Sequence, residues 1–393
     1  MLWGKEMPPP KKIAFISIYT SMGGGEYGLL YLMQNLDRSK FQPVLIVNED
    51  GPLVERAKSK EIEILYLPFR TVMLKHLIRP KIFWQNLKAS FQLKKLLRDN
   101  LIDIIHCSDV LSLLLLLPSL LTRRIPVVYN VIFFYENIRA ILFNLLVPFG
   151  VRKIVCLSQM VLNDLKYKTV GLKKKLSCIY WGVDTEKFHP RTIEEKIGLR
   201  KKYHLPLDKN VIGFVGRYDL WKGHHTFIDA AVRLLARRDD LIFLMVGGSM
   251  TEDVIPAVAA YHKSVKDKIA RINKPSHFIV WDHSDEIPEI ISALDLSVCP
   301  SDAEPFGLVV LEAVASGIPT VVSDTVGAVE VLANVESVLI AYHQEPESFS
   351  HCIETALQCN NLKSAGINDN IKLMEKFSWK EYTKQYENLY DSF

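Results

Sequence analysis

The feature that most constrains this chain is an alternation that runs its whole length. Short apolar runs of strand length alternate with longer stretches of helical period. In the first half the runs are Ile13–Ile18, Val44–Asn48, Ile62–Leu67, Ile102–His106, Pro126–Val131 and Lys153–Leu157. In the second half they are Val211–Val215, Leu241–Val246, Phe278–Trp281, Leu296–Cys299, Thr320–Val322 and Ser337–Ile340. Helical stretches such as Thr226–Arg238 and Ile287–Leu294 fill the gaps. That order predicts α/β units with parallel sheets, here two doubly wound units in series. A turn-rich exit at Trp181–Asp184 leads to Phe188-His189-Pro190, where the break is expected. The predicted domains are residues 1–188 and 189–377. A last helix over 378–393 carries Trp379, Tyr382, Tyr386 and Tyr390 at spacings of three and four, and is expected to pack back on the first domain.

A chain of 393 residues with 49% hydrophobic and 23% charged residues has ample material for such cores. The most apolar stretch, Val110–Leu121, includes five consecutive leucines but is far short of the roughly twenty residues that span a bilayer, so it predicts a buried helix. The basic start of the chain is followed only by the strand-length run Ile13–Ile18, so no signal peptide is expected; Met7 is an alternative start. Six cysteines without a C-x-x-C pair predict buried, reduced thiols and a cytoplasmic setting.

Charge is distributed unevenly. Residues 1–190 hold 27 Lys and Arg against 15 Asp and Glu, a net +12, whereas the whole chain is only +4, leaving −8 for the rest. The basic residues cluster at Lys75–Arg98, Arg123/Arg124, Arg152/Lys153 and Lys166–Lys175. A membrane surface, a phosphorylated acceptor or a plain solvated face each fits this half; nucleic acid is not expected. Phe83, Leu87, Phe91 and Leu97 lie near one helical face among Lys88, Lys94, Lys95 and Arg98, and Phe133–Phe149 is strongly apolar. A basic amphipathic helix of this kind can lie on an anionic lipid surface, or it can simply pack on the sheet.

Three segments carry chemistry. Gly23-Gly24-Gly25 follows the first strand and opens a helix, which permits close backbone approach, positive φ and anion binding at the helix start. Gly216-Arg217, with Lys222-Gly223 shortly after, follows the first strand of the second domain, where open α/β sheets bind ligands. The two cations suit a diphosphate. Glu304-Pro305-Phe306-Gly307-Leu308-Val309 leads through a helix to Glu312, and Gly317 and Pro319 end that helix. Free amides at Gly307–Val309 suit a phosphate, and the two glutamates suit vicinal hydroxyls.

In this company, Glu304–Glu312 reads as an E-x7-E signature, and the chain resembles the family 4 retaining glycosyltransferases with two facing Rossmann-like domains, the GT-B fold. Gly-Gly-Gly-Glu at 23–26, Asp103–His106, Trp181–Asp184 with Phe188 and Pro190, and Asp285–Pro288 complete a likeness along nearly the whole chain. The resemblance implies that Arg217 and Lys222 bind the donor's diphosphate, with Gly216, Phe306, Gly307, Leu308 and Val309 beside it. It implies Glu312 on the ribose, Glu304 on the transferred sugar, His106 near that sugar, and Gly24 and Gly25 over the phosphates or acceptor. No cofactor or metal is implied.

The implied activity moves a sugar from a UDP- or GDP-sugar to a glycan, lipid-linked or other hydroxyl acceptor, in polysaccharide or glycoconjugate synthesis, in the cytoplasm or peripherally on the membrane's cytosolic face. A degenerate binding protein on the same fold, or a nucleotide-sugar 2-epimerase, is the alternative. Three positions depart from the family pattern: Ser108 and Ile132 stand where histidines are common, and Trp181 where asparagine is usual.

Overall fold

The computed structural model of the chain describes residues 8–70, 79–122, 125–135, 137–169, 171–248, 256–359, 362 and 375–393. Met7, Lys75, Arg123, Arg124 and Glu136, which belong to segments singled out from the sequence, lie outside them. The chain divides into two compact units, Met1–Trp181 with Trp379–Phe393, and Gly182–Ser378.

In the first unit the order is β1 (Lys11–Ile16), α1 (Gly24–Asn35), β2 (Phe41–Val47), α2 (Pro52–Lys58), β3 (Glu63–Tyr66), α3 (Pro80–Asp99) and β4 (Ile104–Cys107). It continues with α4 (Val110–Leu120), β5 (Val127–Val131), α5 (Asn137–Leu146), β6 (Val151–Cys156), α6 (Gln159–Lys168) and β7 (Leu176–Cys178). The sheet is parallel, in the order β3-β2-β1-β4-β5-β6-β7. Strand β7 was not expected: it is three residues long and follows three lysines, so it offers no apolar run to read. The leucine-rich α4 is helical as expected; Asp109 caps it by accepting from the Leu111 amide at 2.7 Å.

The second unit begins with α7 (Ile193–Lys202), β8 (Asn210–Val215), α8 (His224–Leu235), β9 (Leu241–Val246), α9 (Pro256–Ala270) and β10 (Phe278–Trp281). It ends with α10 (Ile287–Ser292), β11 (Leu296–Cys299), α11 (Leu308–Ala315), β12 (Thr320–Ser323), α12 (Val329–Leu332), β13 (Val338–Ala341) and α13 (Pro346–Gln358). Its parallel sheet runs β10-β9-β8-β11-β12-β13. Phe214, Phe227, Phe243, Leu296, Val321, Phe349 and Ile353 fill the core between sheet and helices.

In both sheets the order of the strands reverses once, between β1 and β4 in the first and between β8 and β11 in the second, while all strands stay parallel. Connections leave those neighbouring strands in opposite directions, which opens a crevice beyond their carboxyl ends. The expected break at Phe188–Pro190 lies inside the second unit, because the Val183 amide donates to the Phe377 carbonyl at 2.7 Å and ties that crossing into the unit.

The final helix α14 (Trp379–Asp391) belongs to the first unit. Its stripe of Trp379, Tyr382, Tyr386 and Tyr390 is buried; Trp379 stacks on Tyr31 of α1 with centroids 4.7 Å apart. None of the six cysteines forms a disulfide, and three of them are half-buried rather than sealed in the core.

One buried ionic cluster fastens α7 to the second sheet. Asp295, just before β11, accepts from Lys196 at 2.9 Å, from the Val211 amide at 2.8 Å and from Arg200. These partners outweigh burial and hold the Asp295 carboxyl below its usual range. Asp295→Ala leaves the buried Arg200 and the partly buried Lys196 with backbone carbonyls but no counter-charge, and is expected to cost about 3–5 kcal/mol in urea unfolding. A loss below about 1 kcal/mol, the scale of an exposed pair, would contradict this assignment.

Candidate functional site

The loops after β8 and β11 bring Arg217, Lys222, Glu304 and the start of α11 together at the strand-order reversal of the second unit. After β8 the chain turns at Gly216, whose amide donates to Val246 O at 2.9 Å. A Cβ on Gly247 would stand 1.9 Å from Gly216 O, so two backbones cross here with no room for a side chain. Arg217 is half-exposed and pairs with Asp219 at 2.9 Å, which fixes one edge of its guanidinium.

A short 3-10 turn, Leu220–Lys222, then carries Lys222 inward, and Gly223 follows in the left-handed region at φ 77°. A Cβ on Gly223 would stand 1.8 Å from Pro300 O, at the end of β11. Lys222 forms an ion pair with Glu304, and both side chains are largely buried. Burial alone would lower the Lys222 pKa, but the Glu304 carboxylate more than offsets it and the value rises, so the ammonium stays charged.

The Glu304 loop is pinned from the other side. The Glu304 amide donates to Thr325 O at 3.2 Å, Gly327 donates back to Glu304 O at 3.0 Å, and Ala328 donates to Phe306 O at 2.7 Å. Gly307 caps α11 at φ 94°. On α11, Leu308, Val309 and Glu312 share the half-buried side, while Val310, Leu311, Ala313 and Val314 are buried. Phe306, expected beside the ligand, puts its ring into the core and offers only backbone. Burial first, and the nearby Asp184 second, push the Glu312 carboxyl up to about 7. Asp184 was noted in the sequence only as the end of the Trp181–Asp184 motif, and Asp219 and Gly247 were not singled out. The Gly247-Gly248 pair directly after β9 was a readable signal for the last of them.

In the first unit the corresponding crevice is narrowed by side chains, although Gly24 stays exposed and Gly25, Ser108 and Ile132 are half-buried. Gly24 and Gly28 lie under the Trp181 ring, where a Cβ would stand 3.6 and 3.4 Å from its atoms, and a Cβ on Gly25 would stand 2.8 Å from Ile132. None of Gly23, Gly24 and Gly25 has positive φ, so here glycine serves close packing rather than a left-handed turn.

His106 also departs from expectation. It is fully buried, its Nδ1 lies 2.6 Å from the Tyr390 hydroxyl of α14, and its ring packs on Phe15 and Tyr386. An imidazole sealed in this way presents no surface to a sugar, and burial pushes its pKa down to about 3. The residue lines a cavity of about 10 Å³ with Gly25, Ser108, Asn130, Ile132, Trp181 and Tyr382, and its Nε2 is buried without a hydrogen-bond partner among the described residues. All three departures from the family pattern thus meet at one place.

Comparison with known proteins bears on this geometry. The sequence profile of the glycosyl transferases group 1 family matches residues 195–373, and that of glycosyltransferase family 4 matches residues 22–187. The chain belongs to the group 1, family 4 glycosyltransferases. An uncharacterised glycosyltransferase of Methanocaldococcus jannaschii is 29% identical over 221 residues, 55% of this chain and 54% of that protein. A D-inositol 3-phosphate glycosyltransferase of Corynebacterium urealyticum is 28% identical over 221 residues, 56% of this chain and 52% of that one. The chain therefore spans about half the length of these curated relatives. Among solved structures, Anabaena HepE in complex with UDP and glucose superposes with a TM-score of 0.82 at 18% identity, covering 98% of this chain and all of that one. The two parallel-sheet domains are those of the GT-B fold.

Glu312 makes stability depend on pH. Its pKa of about 7 lies above the ordinary carboxyl value of 4.5. The folded chain therefore binds a proton between these values that the unfolded chain does not. The contribution of this group is favourable at low pH and is lost as pH rises through that window. Glu312→Gln, which is neutral throughout, is expected to raise the melting temperature at pH 8 and leave it nearly unchanged at pH 4, below the window. An equal shift at both pH values would contradict the assignment.

Proposed function

We propose that this chain is a retaining, metal-independent glycosyltransferase that moves a hexose or related sugar from a nucleoside diphosphate donor to a hydroxyl acceptor. The observation that carries this reading is the meeting of Arg217, Lys222, the free amides of α11 and Glu312 at one strand-order reversal. Two cations and a helix start answer a diphosphate, and a half-buried carboxylate nearby answers two vicinal ribose hydroxyls. In this reading Lys222 moves from Glu304 to the donor phosphate, which frees Glu304 for the hydroxyls of the sugar. Because HepE was solved with UDP and glucose, UDP-sugars are the first donors to test.

Cleavage of the bond from C1 to the phosphate oxygen leaves negative charge on the diphosphate and positive charge on the sugar ring. Arg217, Lys222 and the amides of Gly307, Leu308 and Val309 stabilise the first without reorganising. The acceptor oxygen then bonds to C1 from the face that the diphosphate leaves, and its proton passes to the departing phosphate oxygen. Attack on that same face retains the anomeric configuration, and no enzyme nucleophile is required. The acceptor, a glycan or a lipid-linked hydroxyl in polysaccharide or glycoconjugate synthesis, is assigned to the basic first domain.

Arg217→Ala is expected to lower turnover by roughly 10²–10³-fold, about 2.7–4 kcal/mol of transition-state stabilisation. Turnover in EDTA should equal that without it, since these cations carry the charge that a metal would carry elsewhere. Sugar transfer is measured by release of nucleoside diphosphate in the presence of a hydroxyl acceptor. Full turnover in Arg217→Ala, or a C2-epimerised donor formed without acceptor, would overturn the reading.

A further inference from the structure

The first unit carries an apolar and cationic patch that neither its core nor the donor site uses. Helix α3 turns Ala89, Ser90, Leu93 and Leu97 inward. Its outer side exposes Phe83 (51%), Trp84 (66%) and Phe91 (60%). The sequence placed Leu97 with Phe83 and Phe91 on one face; in the fold Leu97 packs inward, and Trp84 joins the outer face instead. Trp84, Lys88, Phe91 and Lys95 follow one another at spacings of four, three and four, so they form one stripe along the helix. Lys81 and Lys94 are also exposed. Among the described residues, none of these four lysines has an ion-pair partner, and the only acid on α3, Asp99, pairs with Arg98 at 3.0 Å.

The patch extends beyond α3. Helix α4 packs against both α3 and α5, so these three helices share one layer of the unit. On α5, Ile141 (68%) and Leu145 (59%) are exposed one turn apart, and Arg139 is exposed beside them. Single exposed apolar side chains are common on soluble proteins; three aromatic rings on one helix, beside two aliphatic chains on a helix of the same layer, are not.

We propose that this α3–α5 face docks on an anionic lipid surface. Trp84 sits at the boundary of headgroups and acyl chains with its indole N–H in water, Phe91 buries its apolar ring beside it, and Lys88 and Lys95 meet the lipid phosphates. Charge selects the lipid over a second copy of the chain. Two copies meeting through this face would oppose the same unpaired lysines, whereas an anionic bilayer neutralises them. The net +12 of residues 1–190 points the same way. Among the described residues no helix is long and apolar enough to cross a membrane, so docking is peripheral. The proposal does not depend on the donor reading and is tested without measuring turnover.

The experiment is co-sedimentation of the full chain with vesicles of phosphatidylcholine alone and of phosphatidylcholine mixed equally with phosphatidylglycerol. Binding is expected to the mixed vesicles only, and to weaken as salt rises. K88E/K95E and W84S/F91S should each weaken it by about tenfold or more while keeping the wild-type unfolding curve. K173E/K174E removes the same charge elsewhere on the unit and should bind like wild type. Brominated lipid should quench the tryptophan fluorescence of wild type and do so less in W84F. Equal binding by wild type and the two patch variants, or equal loss in K173E/K174E, would overturn the proposal. So would a dimer in solution that W84S/F91S dissolves, with no binding of wild type to either vesicle.

Discussion

The ion pair between Lys222 and Glu304 is the interaction on which the candidate site depends. It joins the two loops that flank the reversal of strand order in the second sheet, and it does so largely out of water. Each partner is delivered by a backbone that admits no side chain at a crossing point: Gly223 against Pro300 on one side, Gly327 against Pro305 on the other. Two opposite charges held in this way satisfy each other until a ligand offers better partners. A phosphate for the ammonium and a hydroxyl for the carboxylate are such partners, and together they describe the two ends of a sugar diphosphate. The pair balances the two charges within the protein, and losing either member strands the other, at about 3–5 kcal/mol for a buried pair.

The first unit solves a different problem. Its crevice beyond β1 and β4 is narrowed to a small cavity lined by Trp181, Ile132 and Tyr382 of α14. His106 and Asn130, polar residues at the ends of neighbouring strands, spend their hydrogen bonds on Tyr390 and Tyr386. The last helix is thereby fastened to the sheet by polar contacts as well as by rings. What the unit offers to solvent lies elsewhere, on the outer helices α3 and α5.

Much of this was legible in the sequence. The order of strands and helices followed from apolar runs and period, because a doubly wound sheet leaves that mark on every element. All six strands of the second unit were readable for this reason; β7 was not, because three residues beside three lysines carry no pattern. The cluster of Arg217, Lys222, Glu304 and Gly307 was readable because loops at strand ends need glycine at fixed places. The fate of His106 was not: its partner Tyr390 stands at the far end of the chain, and no local signal links them. Nor did helical spacing alone decide which side of α3 faces the sheet. Packing decided it, and it exchanged Leu97 for Trp84 on the outer face.

The most direct test of the central claim is a crystal structure of the chain with uridine diphosphate bound. The account predicts the phosphates at the start of α11 with Arg217 on them, and Lys222 withdrawn from Glu304 onto a phosphate oxygen. A diphosphate bound elsewhere, with the Lys222–Glu304 pair intact, would contradict it.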